Sequence, residues 1–123
     1  MNKSEKRKFE EKKAIVSNLI KNTDVLEMQF ESYGLKVSSF GYAIDDTFWL
    51  QVFVEIISIC LGKLECDYSI KVNAYDENGN LIGNKDRMLC ASDFNGFEAF
   101  TFYFQTDGIG LEAHKTRIFI TKR

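Results

Sequence analysis

No proline occurs among the 123 residues, and histidine and tryptophan occur once each, as His114 and Trp49. Without proline, and with few connections longer than about eight residues, the chain has little from which to build a lid or a deep substrate cleft. One histidine and three cysteines (Cys60, Cys66 and Cys90) without C-x-x-C spacing disfavour a zinc site. Three thiols cannot all pair within one chain. The basic start is followed only by AIVSNLI, too short and too polar for a signal h-region. A reduced, cytoplasmic protein with buried thiols is therefore the expectation. The longest apolar run, FWLQVFVEIISICL, contains Gln51 and Glu55 and is too short to span a bilayer, so no membrane insertion is expected.

Enzyme signatures are equally scarce. There is no G-x-S-x-G elbow, no phosphate-binding glycine loop and no H-E-x-x-H, and GIG at 108–110 stands without the rest of a dinucleotide fingerprint. Neighbouring acids such as Asp45 and Asp46 could work as an acid/base pair, as glycosidases on β-sandwiches do, which keeps a small carbohydrate-active enzyme as an alternative. Sixteen basic and eighteen acidic residues give a net charge of −2, which argues against non-specific nucleic-acid binding. The charge is uneven: residues 1–22 carry seven Lys or Arg against three Glu, a net +4, so the remainder carries −6.

What is present is periodicity. KSEKRKFEEKKAIVSNLIKN aligns Phe9, Val16 and Ile20 on one helical stripe, with Leu19 beside it and charge elsewhere. From residue 24 the period changes to two, and strands are expected near 25–32, 35–44, 47–60, 64–75, 81–90, 98–106 and 115–122. The inward parity slips from Leu35 and Val37 to Phe40, Tyr42 and Ile44, which calls for a bulge near Ser38 to Gly41. Eleven phenylalanines supply much of the core. The expected fold class is mainly β, a seven-stranded antiparallel immunoglobulin-like β-sandwich over 24–123, preceded by a basic tail and amphipathic helix over 1–22, with no second helix.

The stretch VNAYDENGNLIG invites comparison with a calcium loop, but counting from Asp76 the sixth residue is Leu81 and the twelfth Arg87, so the EF-hand pattern fails. Asn78-Gly79 is a hairpin signal. The succession of a long apolar strand, IKVNAYDENGNLIG, a loop and FEAFTFYF resembles FxLYD-type and related immunoglobulin-like bacterial domains, in which a "yD..G.li" hairpin recurs, over roughly residues 48–106. The resemblance implies an immunoglobulin-like fold and a binding role, and carries no site residue with it. The chain departs from such domains in its basic N-terminal helix and in lacking a lipoprotein or secretory start.

Two surfaces follow from the strand pattern. In FWLQVFVEI the even positions are wholly apolar and form the core face, leaving Trp49, Phe53 and Ile57 on the opposite one. Such a stripe needs a cover, either the Phe9, Val16 and Ile20 face of the chain's own helix or a second copy or protein partner. Alternating strand directions also send the connections at 45–46, 76–80 and 107–114 to one end. There Asp45, Asp46, Asp76, Asn78, Asp107 and Glu112 could ligate Ca²⁺ in a Ca²⁺-dependent binding domain, or could be turn residues favoured for backbone reasons. The leading reading is a non-catalytic protein-interaction or ligand-binding module that needs no cofactor.

Overall fold

The computed structural model describes residues 2–60 and 62–123. The first helix, α1 (Lys3–Lys21), starts at a capping box in which the Asn2 side chain accepts from the Glu5 N–H and the Glu5 carboxylate accepts from the Asn2 N–H. Its buried side is not the stripe expected. Leu19 is fully buried and Ile15 and Val16 pack on the core, while Phe9 remains 56% exposed and Ile20 49%. The helix is thus turned so that Ile15 and Leu19, an i,i+4 pair, face β2 (Leu35–Ile44) and the sandwich end.

The segment expected as a first strand over 25–32 divides in two. Thr23–Val25 forms the short strand β1, after which the Leu26 N–H donates to the Ile118 carbonyl and the chain turns into α2 (Glu27–Ser32). LEMQFES is rich in good helix formers, and Leu26 and Phe30, four apart, share a face in either a helix or a strand. Met28 decides between the two: strand alternation would place it with Phe30, yet Phe30 is fully buried and Met28 is 84% exposed. A second correction concerns direction, since β1 runs parallel to the last strand, with Thr23 opposite Thr116, rather than antiparallel.

The remaining strands are β3 (Leu50–Ser58), β4 (Tyr68–Tyr75), β5 (Leu81–Leu89), β6 (Phe97–Phe104) and β7 (Lys115–Lys122), with a short helix α3 (Ile109–Glu112) before β7. They form two sheets, β1-β7-β4-β5 and β2-β3-β6. The seven strands, the two sheets and the N-terminal helix agree with the expected mainly β architecture, and the register of β2 against β3 shifts between Val37 and Ser39, where a bulge was called for. The core lies between the sheets: Leu50, Val52, Val54 and Ile56 with Phe100, Phe102 and Phe104 on one side, Ile70, Val72 and Ala74 with Ile118 and Ile120 on the other. Phe48, expected at the head of the β3 core face, instead sits in the β2–β3 turn at φ 57. It is held there by its N–H bond to the Asp45 carbonyl and by the Gly110 N–H on its own carbonyl.

Candidate functional site

The three acidic connections do share one end. The β2–β3 turn receives the Gly108 N–H at the Thr47 carbonyl and the Gly110 N–H at the Phe48 carbonyl, and the His114 N–H reaches the Tyr75 carbonyl beside the β4–β5 turn. Close approach fixes Gly110, because a Cβ there would lie 2.9 Å from the Phe48 oxygen.

Four of the carboxylates at this end, however, already have donors, two of them within their own turns. Asp45 Oδ1 accepts from the Thr47 hydroxyl and from the Thr47 and Trp49 N–H groups, at 2.7 to 2.9 Å, and the Thr47 hydroxyl above all holds its carboxyl below the usual range. Asp76 accepts from the Asn80 and Asn78 N–H groups and from the Asn80 amide, and its carboxyl is lowered chiefly by the Asn80 backbone bond. Asp46 pairs with the Lys12 ammonium of α1, which lowers it too, and Asp107 accepts the Trp49 indole N–H at 2.6 Å. Glu112 and Asn78 line a separate open cleft of about 630 Å³ between α1, the β4–β5 turn and α3, with Asp76, Glu77, Asn18 and His114. Among the described residues no three His, Cys, Asp or Glu side chains come together to hold a metal ion, so the six residues expected as Ca²⁺ ligands occupy one end without forming a cage. Asp45 and Asp76 are aimed at their own turns, as an Asx turn needs, while Asp46 and Asp107 are engaged by Lys12 and Trp49.

Acid titration tests this assignment. Folded-state values held below the usual carboxylate range contribute stability that is present above the ordinary pKa near 4 and is lost as pH falls through the lowered values. The melting temperature of the protein is expected to drop below about pH 4, and to drop less steeply in the Asp45→Ala/Asp76→Ala variant. Equal slopes would show that these carboxylates are not bonded in solution as described.

The outer faces of the two sheets contrast. On β1-β7-β4-β5 the outward positions include Lys71, Asn73, Asn84, Asp86 and Arg117, and Arg117 bonds Asp24 at 2.9 Å while lying over the Tyr75 ring. On β2-β3-β6 they include Gly41, Gln51, Phe53, Glu55, Ile57, Thr101 and Tyr103, with Glu55 as the charge of the β3 and β6 rows. Phe53 stays 38% exposed and Tyr103 49%, and Trp49 and Ile57 are half-buried. Of the two covers considered for this stripe, the chain's own helix does not supply one, because α1 packs against β2 and the sandwich end through Ile15 and Leu19. Phe53 stands between Gly41, which has no side chain, and Thr101, which has a short one, and its ring stands clear. The alternation of FWLQVFVEI pointed to this face. That Gly41 and Thr101 flank it could be known only from the register.

No family model matches the chain, and no curated protein matches it. Among solved structures, the crystal structure of Campylobacter jejuni cj0090 is similar over 83% of this chain and 98% of that one, at 14% identity and a TM-score of 0.50. The likeness is one of fold. A DUF1425 family member from Shewanella sp. pv-4 gives a TM-score of 0.46 at 18% identity, over 72% of this chain and 78% of that one.

Proposed function

We propose that this chain is a non-catalytic, immunoglobulin-like protein-interaction module, whose binding surface is the outer face of β2-β3-β6. The contrast between the two sheets supports the reading. A face that carries Trp49, Phe53, Ile57 and Tyr103, with Glu55 as the one charge of its β3 and β6 rows, is less costly to desolvate than the other sheet's, and aromatic anchors of this kind contribute most where partners meet. The acidic end is a poorer candidate, since Asp45, Asp46, Asp76 and Asp107 already have donors and no acid/base pair is set across a cleft there.

Photocrosslinking in the native cell tests the assignment. A benzophenone side chain at position 53 or 103 is expected to trap one discrete protein, whereas the same group at Phe119, on the outer face of the other sheet, traps none. Equal trapping from both faces, or none from 53 and 103, would remove this surface from consideration. The module is further proposed to work in a reducing compartment, because Cys60, Cys66 and Cys90 are all free thiols. Denatured without reductant, the native-source protein should take up three alkyl groups, and uptake of one would reveal a disulfide.

A further inference from the structure

A sandwich of two open sheets has four edge strands, and three of these are guarded here. β1 is three residues long, β2 is bulged at Ser38 and flanked by α1 and α2, and β5 carries Lys85, Asp86 and Arg87. β6 is the least guarded of the four: FEAFTFYF is unbulged and free of proline, Glu98 is its one charge, and β5 reaches its edge through Arg87, which caps the Thr101 carbonyl alone. Its hydrogen-bonding parity can be read from two contacts. The Gly96 carbonyl accepts from the Ser58 N–H, so even-numbered residues face β3, while the Thr101 carbonyl faces away and accepts the Arg87 guanidinium at 2.8 Å. The N–H and C=O groups of Ala99, Thr101 and Tyr103 therefore lie along the open edge. Among the described residues none of their N–H groups has a partner in a turn or loop.

We propose that β6 pairs antiparallel with β6 of a second copy of this chain, joining two three-stranded sheets into one of six strands. The strand is complementary to itself. Pairing centred on Phe100 sets Ala99 opposite the second copy's Thr101 in hydrogen-bonded register, and sets Phe97 opposite its Tyr103. These two aromatics are 55% and 49% exposed in the single chain, and the two-fold axis makes the match twice. Charge agrees as well. Glu98 falls opposite the second copy's Phe102, and Arg87, which lies 5.9 Å over the Phe100 ring and already faces the Glu98 charge of its own chain, is released towards the second copy's Glu98 when the Thr101 carbonyl is taken up by the ladder. An unrelated extended peptide would offer the backbone groups without this doubled side-chain match. The edge borders the outer face proposed above for a protein partner and shares Tyr103 with it, and pairing would leave Trp49, Phe53 and Ile57 open while doubling that face in extent.

Sedimentation of the full chain decides the matter. Mass is expected to rise from 14.2 kDa towards twice that value across the micromolar range. Thr101→Pro, placed where an edge strand tolerates proline, and Ala99→Lys should each weaken association at least about tenfold while leaving the far-ultraviolet spectrum unchanged. Glu98→Arg should weaken it too, and adding Arg87→Glu should restore it. If Thr101→Pro fails to fold, the exposed Ala99→Lys and the charge exchange remain as readouts. A mass of 14.2 kDa at every concentration overturns the proposal. So does a dimer that survives Ala99→Lys, and one lost only on Phe53→Lys would place self-association on the outer face instead.

Discussion

Leu19→Ala is expected to destabilise the folded chain by about 2 to 5 kcal/mol, whereas Phe9→Ala should change stability by no more than about 0.5 kcal/mol. Leu19 is fully buried and belongs to the same cluster as Phe30, Leu35 and Ile118, so truncation leaves a cavity in the one core of the molecule. Phe9 lies on the flank of α1 beside Lys13, Val16 and Ile44, where water already reaches it. Urea unfolding followed by circular dichroism and by Trp49 fluorescence should show one transition shared by both probes, because the residue that anchors the helix is part of the sandwich core. A large loss from Phe9→Ala with a small one from Leu19→Ala would mean that the helix docks by its other face. Two separated transitions would mean that it is not part of the cooperative unit.

This pair of substitutions also shows where the residue pattern carries information and where it stops. The strands β2 and β7 begin and end where period-two alternation places them, at Leu35–Ile44 and Lys115–Lys122, because a one-residue slip would turn every apolar side chain towards water. The bulge was legible for the same reason. The docking angle of α1 was not, since Phe9, Val16 and Ile20 form as apolar a stripe as Ile15 and Leu19 do, and only the shape of the sandwich end chooses between them. LEMQFES failed as a strand because residues four apart satisfy both periods, leaving Met28 as the sole discriminating position. At the acidic end the convergence of three loops followed from alternating strand directions. What the carboxylates bond to depended on turn geometry, and Asn, Asp and Gly favour turns whether or not a ligand binds there. The outer face of β2-β3-β6 was half legible: parity gave Trp49, Phe53 and Ile57, while Gly41, Thr101 and Tyr103 joined them only through pairing across strands.

Tyr42→Phe should cost about 1 to 3 kcal/mol, despite removing a single oxygen. The Tyr42 hydroxyl sits within hydrogen-bond distance of both Thr23 and Thr116, and Thr23 donates its one hydroxyl proton to the Leu19 carbonyl at 2.6 Å. That fixes the direction of the whole chain: Tyr42 donates to Thr23, and Thr116, which is fully buried, donates to Tyr42. The relay ties the end of α1, β1, β2 and β7 together across the two sheets. Phenylalanine would leave the Thr116 hydroxyl with no acceptor in a dry site, so Thr116→Val added to Tyr42→Phe should recover part of the loss, and its failure to do so would show that water reaches the hydroxyl. The pH dependence has a sign that follows from the same burial. Desolvation raises the Tyr42 phenol above its ordinary value and pushes Tyr68 up to about 12. Groups whose folded pKa is raised contribute stability that is complete below the unfolded value near 10 and is lost as pH climbs from there through the folded values. The protein is expected to hold its melting temperature to about pH 10 and then lose it steeply. Tyr42→Phe, less stable at neutral pH, should lose less over the same alkaline interval because it has one buried phenol fewer to ionise. Parallel curves for the two proteins would show that Tyr42 is not desolvated in solution.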